Sequence, residues 1–314
     1  MQINLHKNTA FILTLAATLG FLLPGPAERI EFLVIPALFL MMAFSMAGID
    51  LGIPPIRGAM AGFLINYLFL SGLILFIAPL VLVEEALILG FVVMAATPPA
   101  VAIVPLTKLL AGDVRLALYS EALSYLGSLV LMPLIIFLFA GEAGAAVGVG
   151  ETFEIVLILI LLPILASRYV NLLKIDPAHP INAGLFSVTY IVVGLNSSAI
   201  SMEAAGVAGV LLVAFARTFA SGAAVYAASA ATGVEHPQRV AYTLFGSFKN
   251  LGLAATVALL LFGPRAAVPA AVCILTETGF YILLSALAGR RRRGTSSSAP
   301  PDAEEKIAYR ICQQ

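Results

Sequence analysis

Lys249 and Asn250 stand near the middle of an apolar stretch, residues 244–262, that is long enough to cross a membrane. A charged side chain at the centre of a bilayer costs at least about 2.5 kcal/mol unless another group compensates its charge. Ionisable residues at that depth are therefore candidates for binding or transport. The first question about this chain is what Lys249 contacts.

Other apolar stretches carry polar groups that could serve as partners. Glu121 is followed by Ser124 and Ser128, which share its helical face at i+3 and i+7. Glu277 stands beside Thr278, and a further stretch carries Arg217. Two acids and two bases inside the membrane balance in number, which predicts that they pair.

The composition requires a lipid environment. Hydrophobic residues make up 61% of the 314 positions and charged residues 11%, whereas soluble domains carry about 25% charged residues. We therefore predict a multi-pass protein of the cell membrane, with the lipid bilayer as a partner. The net charge of zero gives no indication of nucleic-acid binding. The two cysteines, Cys273 and Cys312, are too few for a disulfide framework or a metal site, and no cofactor is predicted.

Ten stretches of about 20 apolar residues predict ten transmembrane helices. Lysine and arginine in the connecting loops fall mostly on one side, which predicts that both termini are cytoplasmic. The spans are predicted at residues 9–24, 32–51, 58–81, 85–109, 114–140, 152–173, 180–200, 206–231, 238–262 and 265–288.

Ten spans divide into two sets of five that enter the membrane from opposite sides, the arrangement of inverted-repeat transporters. We predict a first repeat at 1–140, a second at 141–289 and a disordered cytoplasmic tail at 290–314. Interruptions fall at matching places: Pro98 and Pro99 in span four, and glycines around Lys249 in span nine. Proline removes a helical hydrogen bond, and freed backbone at membrane depth is tolerated only against protein or a cavity.

Several segments resemble the bile acid:sodium symporter family. The most specific are "NLGLA" at 250–254 and "LAGD" at 110–113, and the resemblance covers nearly the whole chain. It implies an all-α fold of ten helices in panel and core domains, with interrupted spans four and nine crossing. It also implies transport of organic anions, usually with sodium.

The sodium ligands that the resemblance implies are largely replaced. Aligning Asn250 with the family's asparagine puts Phe245 at a sodium-binding glutamate and Lys249 at a glutamine, whereas Asn66 matches a polar residue of the site. A fixed ammonium could take over the electrostatic role of a bound cation. The family's fold places spans five and nine around one site, so we predict that Lys249 pairs with Glu121. A pairing of Glu277 with Arg217 has less support.

We therefore predict a secondary active transporter of a small or amphipathic organic anion of the bile acid, steroid or keto/hydroxy-acid class. The predicted site is Lys249, Asn250, Glu121, Asn66, Pro98, Pro99, Ser124, Ser128, Glu277 and Thr278. The coupling ion could be a proton or sodium, or transport could be an uncoupled exchange. The alternatives are a conventional sodium symporter and a receptor that kept the fold. An enzyme is disfavoured because no catalytic motif is present, and a channel because no ring of charges appears.

Overall fold

The computed structural model describes residues 9–45, 55–141, 161–195 and 204–296, together with the single positions 154, 158 and 197. Within these residues every regular element is a helix. The helices are α1 Thr9–Leu22, α2 Gly25–Arg29, α3 Val34–Ser45, α4 Ile56–Val81, α5 Glu85–Ala96, α6 Ile103–Leu109, α7 Val114–Phe139, α8 Leu162–Val170, α9 Ala178–Leu195, α10 (Ala204–Phe215, Ala216–Ala220 and Ser221–Ala231), α11 His236–Phe245, α12 Leu251–Phe262 and α13 Pro264–Ser296.

Four helices in the described part of the chain are long and apolar enough to cross a membrane: α4, α7, and the greater parts of α10 and α13. Each of the ten predicted spans overlaps at least one described helix, and spans four and nine are each divided into two shorter ones. The all-helical membrane class is thus confirmed. The ten-span inverted topology, its division near residue 140 and the cytoplasmic termini stay predictions.

The helices pack in two groups. In the first, α9 packs against α1 and α3, and α3 packs against α8. The second contains α4 to α7 and α10 to α13, with α5 against both α12 and α13. Its core is built from closely packed buried side chains such as Phe91, Val257 and Val268. Gly90 allows α5 to approach α13, since a Cβ there would overlap the carbonyl oxygen of Ala266.

α4 and α10 share a local irregularity. Each contains a π-helical turn, Ile65–Leu70 in α4 and Ala216–Ala220 in α10, and in each a serine and a glycine follow directly. Such turns insert an extra residue into a helix and are frequent at functional sites. These two turns carry Asn66 and Arg217, both almost completely buried.

The last helix, α13, ends at Ser296. It therefore includes residues 290–296 of the segment that the sequence predicts as a disordered tail. The remainder of that segment, 297–314, lies outside the described residues.

Candidate ion and substrate site

The two interrupted helices meet at their interruptions. α5 ends at Ala96, and the chain continues without helical hydrogen bonding through Pro98 and Pro99, because proline cannot donate one. α11 ends at Phe245, and α12 begins after Asn250. The backbone N–H of Asn250 donates to the carbonyl oxygen of Pro98 at 2.9 Å, which joins the two interruptions directly.

Side chains satisfy much of the backbone that the interruptions leave free. The Oδ1 of Asn250 accepts from the backbone N–H of Leu253 at 3.0 Å and caps α12. Its Nδ2 donates to the Tyr125 hydroxyl at 2.9 Å, and that hydroxyl donates to the carbonyl oxygen of Pro99 at 3.2 Å. From α4, the Nδ2 of Asn66 donates to the carbonyl oxygens of Phe245 and Phe248 at 2.8 and 3.1 Å.

The ammonium of Lys249 lies in a cradle of neutral oxygen atoms. Its Nζ is 2.9 Å from Asn66 Oδ1 and 2.8 Å from Ser71 Oγ, both on α4. It is also 3.1 and 2.9 Å from the carbonyl oxygens of Ala95 and Thr97, at the carboxyl end of α5. The ring of Tyr67 lies beneath it, with its centroid 4.5 Å from Nζ. We call these four oxygen atoms the cation cradle.

The cradle compensates the positive charge without a carboxylate. Carbonyl oxygens at the carboxyl end of a helix carry the negative end of its macrodipole, and an aromatic face attracts a cation. The Lys249 side chain is fully buried, with 0% of its surface exposed. Every hydrogen-bond acceptor around Nζ is a neutral oxygen, while the carboxylate of Glu277 accepts from the backbone N–H of the same residue.

The predicted pairing of Lys249 with Glu121 is wrong. Glu121 on α7 is buried, and neither of its carboxylate oxygens has a hydrogen-bond partner. The resemblance implies that spans five and nine surround one site, but the interruption of α5 supplies the lysine with carbonyl oxygens instead. Ser124 and Ser128 are also buried, but their hydroxyls donate to the backbone oxygens of Ser120 and Tyr125 on their own helix.

Glu277 and Arg217 form the predicted ion pair. Arg217 Nη2 donates to Glu277 Oε1 and to the carbonyl oxygen of Ser247, in the second interruption. The same carboxylate oxygen accepts from the backbone N–H of Lys249 at 3.1 Å. The neighbouring Thr278 donates to the carbonyl oxygen of Ile274 on its own helix at 2.8 Å and lines the adjoining crevice.

A crevice of about 70 Å³ lies beside the interruptions, between the two groups of helices. Its polar wall includes Asn250, Gly252, Glu277 and Thr278. Its apolar wall comes from α3 and α9 and includes Met41, Leu185 and Val188. The first turn of α12 therefore faces a crevice whose opposite wall is formed largely by apolar side chains.

The structure brings six of the predicted residues into contact through the interruptions: Lys249, Asn250, Asn66, Pro98, Pro99 and Glu277. Sequence reasoning missed Ser71, Tyr67 and Tyr125. For Tyr125 a signal existed, since it lies four residues after Glu121 within the predicted polar stripe. Ser71 lies five residues after Asn66, and residues at that spacing do not share a face of a regular α-helix. The π-helical turn nevertheless brings Ser71 beside Asn66.

An all-helical protein with long apolar helices and two interrupted helices meeting at a buried charge belongs to the class of polytopic membrane proteins. A family model, the SBF-like CPA transporter family, which is related to the bile acid:sodium symporters, matches residues 9–293. The chain belongs to this family, and the resemblance seen in the sequence is confirmed. A search of curated proteins finds no match.

Proposed function

We propose that this protein is a secondary transporter of an organic anion in which the ammonium of Lys249 takes the place of a bound cation. The carrying observation is the cation cradle, in which four neutral oxygens surround Nζ within 3.1 Å. Membership of a transporter family supports the general activity.

The chemistry of the cradle is that of a cation site. Hard cations are bound in proteins by carbonyl, amide and hydroxyl oxygens, and interrupted helices in transporters offer carbonyl oxygens at their carboxyl ends for this purpose. An ammonium offers three N–H donors to these four oxygens, and the carbonyl oxygen of Ala95 also accepts from the Ser71 hydroxyl at 2.6 Å. A free sodium ion would compete with Lys249 for the same atoms, so we propose transport without sodium at this position.

The crevice suits an anion with an apolar body. The backbone N–H groups of Leu251 and Gly252 open α12, where the helix dipole favours negative charge. The ion pair of Arg217 with Glu277 is neutral, so the charge of Lys249 dominates the local field. Met41 and Val188 offer hydrocarbon for the rest of the ligand. These features support the bile acid, steroid or keto/hydroxy-acid class.

The size of the crevice bears on the transport cycle. Pockets for drug-sized ligands have volumes of about 300–1,000 Å³, well above the 70 Å³ of this crevice. An amphipathic anion therefore requires the two groups of helices to separate. We propose that this conformation is closed around the site and that separation exposes the first turn of α12.

Counterflow in proteoliposomes tests this function. Vesicles preloaded with unlabelled taurocholate or pyruvate are offered the labelled anion, in sodium and in potassium. We expect exchange of at least one probe at equal rates in both salts. Lys249→Gln should slow exchange in potassium, whereas Lys108→Gln, which changes an exposed lysine of α6, should not. Absence of exchange for both probes would favour a receptor, and a strict sodium requirement would favour a conventional symporter.

A further inference from the structure

Glu121 is a buried acid that the cation cradle does not use. Only 1% of its surface is exposed, and Oε1 and Oε2 both lack a hydrogen-bond partner. The hydroxyls nearest in sequence are occupied elsewhere, since Ser120 donates to the carbonyl oxygen of Leu116 and Ser124 to that of Ser120. The backbone N–H of Val104 in α6 approaches the carboxyl without completing a hydrogen bond.

The elements that pack against α7 are α4, α5, α6 and α11, and their charged groups are occupied elsewhere or exposed. Asp113 caps α7 by accepting from the Leu116 N–H, Arg239 donates to the carbonyl oxygen of Val234, and Lys249 lies in the cradle. Arg57, Glu85, Lys108 and Arg115 are exposed, and His236 is half-buried.

The tyrosines around Glu121 also donate to other groups. Tyr67 donates to the carbonyl oxygen of Ala96, and Tyr242 donates to that of Gly58. Tyr125, which lies close to Glu121, donates to the carbonyl oxygen of Pro99.

An ionised carboxylate in this position would be a buried charge with no cation paired to it among the described groups, and with only the Val104 N–H approaching it. Such a charge is far more costly than the neutral acid, so a carboxyl group in this setting takes up a proton. We propose that Glu121 is a proton-binding site, loaded in the closed conformation. Only the carboxyl O–H bond forms or breaks, and the proton exchanges with bulk water when the surroundings of Glu121 open.

The position of Glu121 links the proton to the site. Its carboxyl lies against α6, the second half of the interrupted span four, and Tyr125, one turn further along α7, touches both interruptions. A movement of α7 against the interruptions would change the hydration of Glu121 and the first turn of α12 together. This inference rests on the proposed function, and it makes the proton the ion that is transported together with the organic anion.

Infrared spectroscopy tests the proton site without any substrate. The full chain in detergent is compared with Glu121→Gln, with Glu121→Asp, and with Glu84→Gln, which alters an acid outside the spans. We expect the carbonyl stretch of a protonated carboxylic acid at neutral pH in the unmodified protein. It should disappear in Glu121→Gln and persist in Glu121→Asp and Glu84→Gln. An unchanged band in Glu121→Gln would overturn the proposal.

Proton-driven uptake tests the coupling. With an inward gradient of about one pH unit, symport of one proton with one anion predicts about tenfold accumulation of labelled taurocholate or pyruvate. Glu121→Gln should reduce accumulation to the level without a gradient, and Glu121→Asp should restore part of it. Equal accumulation by Glu121→Gln would overturn the coupling. If the unmodified protein exchanges neither probe, the proposed function fails, whereas the infrared result still decides the proton site.

Discussion

Two positive charges lie side by side between the interrupted helices, and the chain compensates them differently. Lys249 is held by four neutral oxygens contributed by α4 and the end of α5. Arg217 is held by the carboxylate of Glu277 and a backbone oxygen. Both clusters are anchored by a π-helical turn, one in α4 and one in α10.

The two arrangements differ in whether the positive group could be exchanged for another cation. An ion pair of two side chains is self-contained, and removing one partner leaves a buried charge. A cradle of neutral oxygens holds whichever cation enters it, and a free ion could replace the ammonium. The Arg217 cluster joins α10 and α13 to the second interruption, whereas under the proposed function the Lys249 cluster is a cation site that the chain fills with its own ammonium.

The largest expected effect is on the ion pair. Arg217→Met strands the carboxylate of Glu277 in a buried setting, which typically costs about 3–5 kcal/mol. Chemical unfolding in mixed micelles measures the loss. The double variant with Glu277→Leu should recover most of it, because neither member of the pair is then left as an unpaired buried charge. An equal loss of unfolding free energy in the single and double variants would show that the unpaired carboxylate of Glu277 is not its cause.

Removal of the lysine should cost less. Lys249→Met removes the ammonium donor of Asn66 Oδ1 and of the Thr97 carbonyl oxygen, whereas the Ala95 carbonyl still accepts from Ser71, and unsatisfied buried groups cost about 1–3 kcal/mol. No charge is stranded, so the loss of unfolding free energy should fall below that of Arg217→Met. Lys108→Met, on the exposed side of α6, serves as control and should change stability by less than about 0.5 kcal/mol. A loss equal to that of Arg217→Met would indicate a carboxylate partner.

The two serines that follow the π-helical turns offer a matched test. Ser71 accepts from Lys249 and donates to the carbonyl oxygens of Asn66 and Ala95. Ser221 donates to the backbone oxygens of Arg217 and Thr218 on its own helix. Ser71→Ala should therefore cost about 1–2 kcal/mol of unfolding free energy, because it removes an acceptor from Lys249 as well as the donor to Asn66 and Ala95. Ser221→Ala should cost less. The reverse order would contradict the different roles assigned to the two turns.

The smallest effect is expected at the ion pair outside the spans. Arg265 donates two hydrogen bonds to the Glu84 carboxylate, at 2.5 and 2.7 Å, and lowers the pKa of that carboxyl. Because Glu84 is 40% exposed, solvent limits the contribution to about 0.2–1 kcal/mol.

The pH dependence of this pair has a definite sign. A lowered pKa in the folded state stabilises the protein above the unfolded pKa of about 4.3, and this stability is lost as pH falls through the folded value. The stability difference between the protein and Glu84→Gln should therefore be constant near pH 7, begin to fall near the unfolded pKa of about 4.3, and vanish once pH lies below the lowered pKa of folded Glu84. A stability difference that increases as the pH falls would contradict a stabilising ion pair between Arg265 and Glu84.

The sequence predicts the apolar helices and the two interruptions, because hydropathy and proline act locally. It also predicts the buried positions of Lys249 and Asn66. It cannot predict that Lys249 turns to the end of α5, since carbonyl oxygens are identical in every residue and leave no mark in the sequence. The π-helical turns that set Asn66 beside Ser71 are equally invisible to a 3.6-residue period. For this reason the sequence points Lys249 to Glu121, whereas the structure gives it backbone and amide oxygens.

The thermal stability of the detergent-purified protein as a function of sodium concentration tests the central claim most directly. A ligand at 100 times its Kd stabilises the folded state by about 2.7 kcal/mol, so an occupied sodium site would raise the Tm with concentration. We predict that the unmodified protein and Lys108→Gln respond equally to sodium and potassium, and that Lys249→Gln gains a sodium-specific increase. A sodium-specific increase in the unmodified protein, or none in Lys249→Gln, would contradict the account.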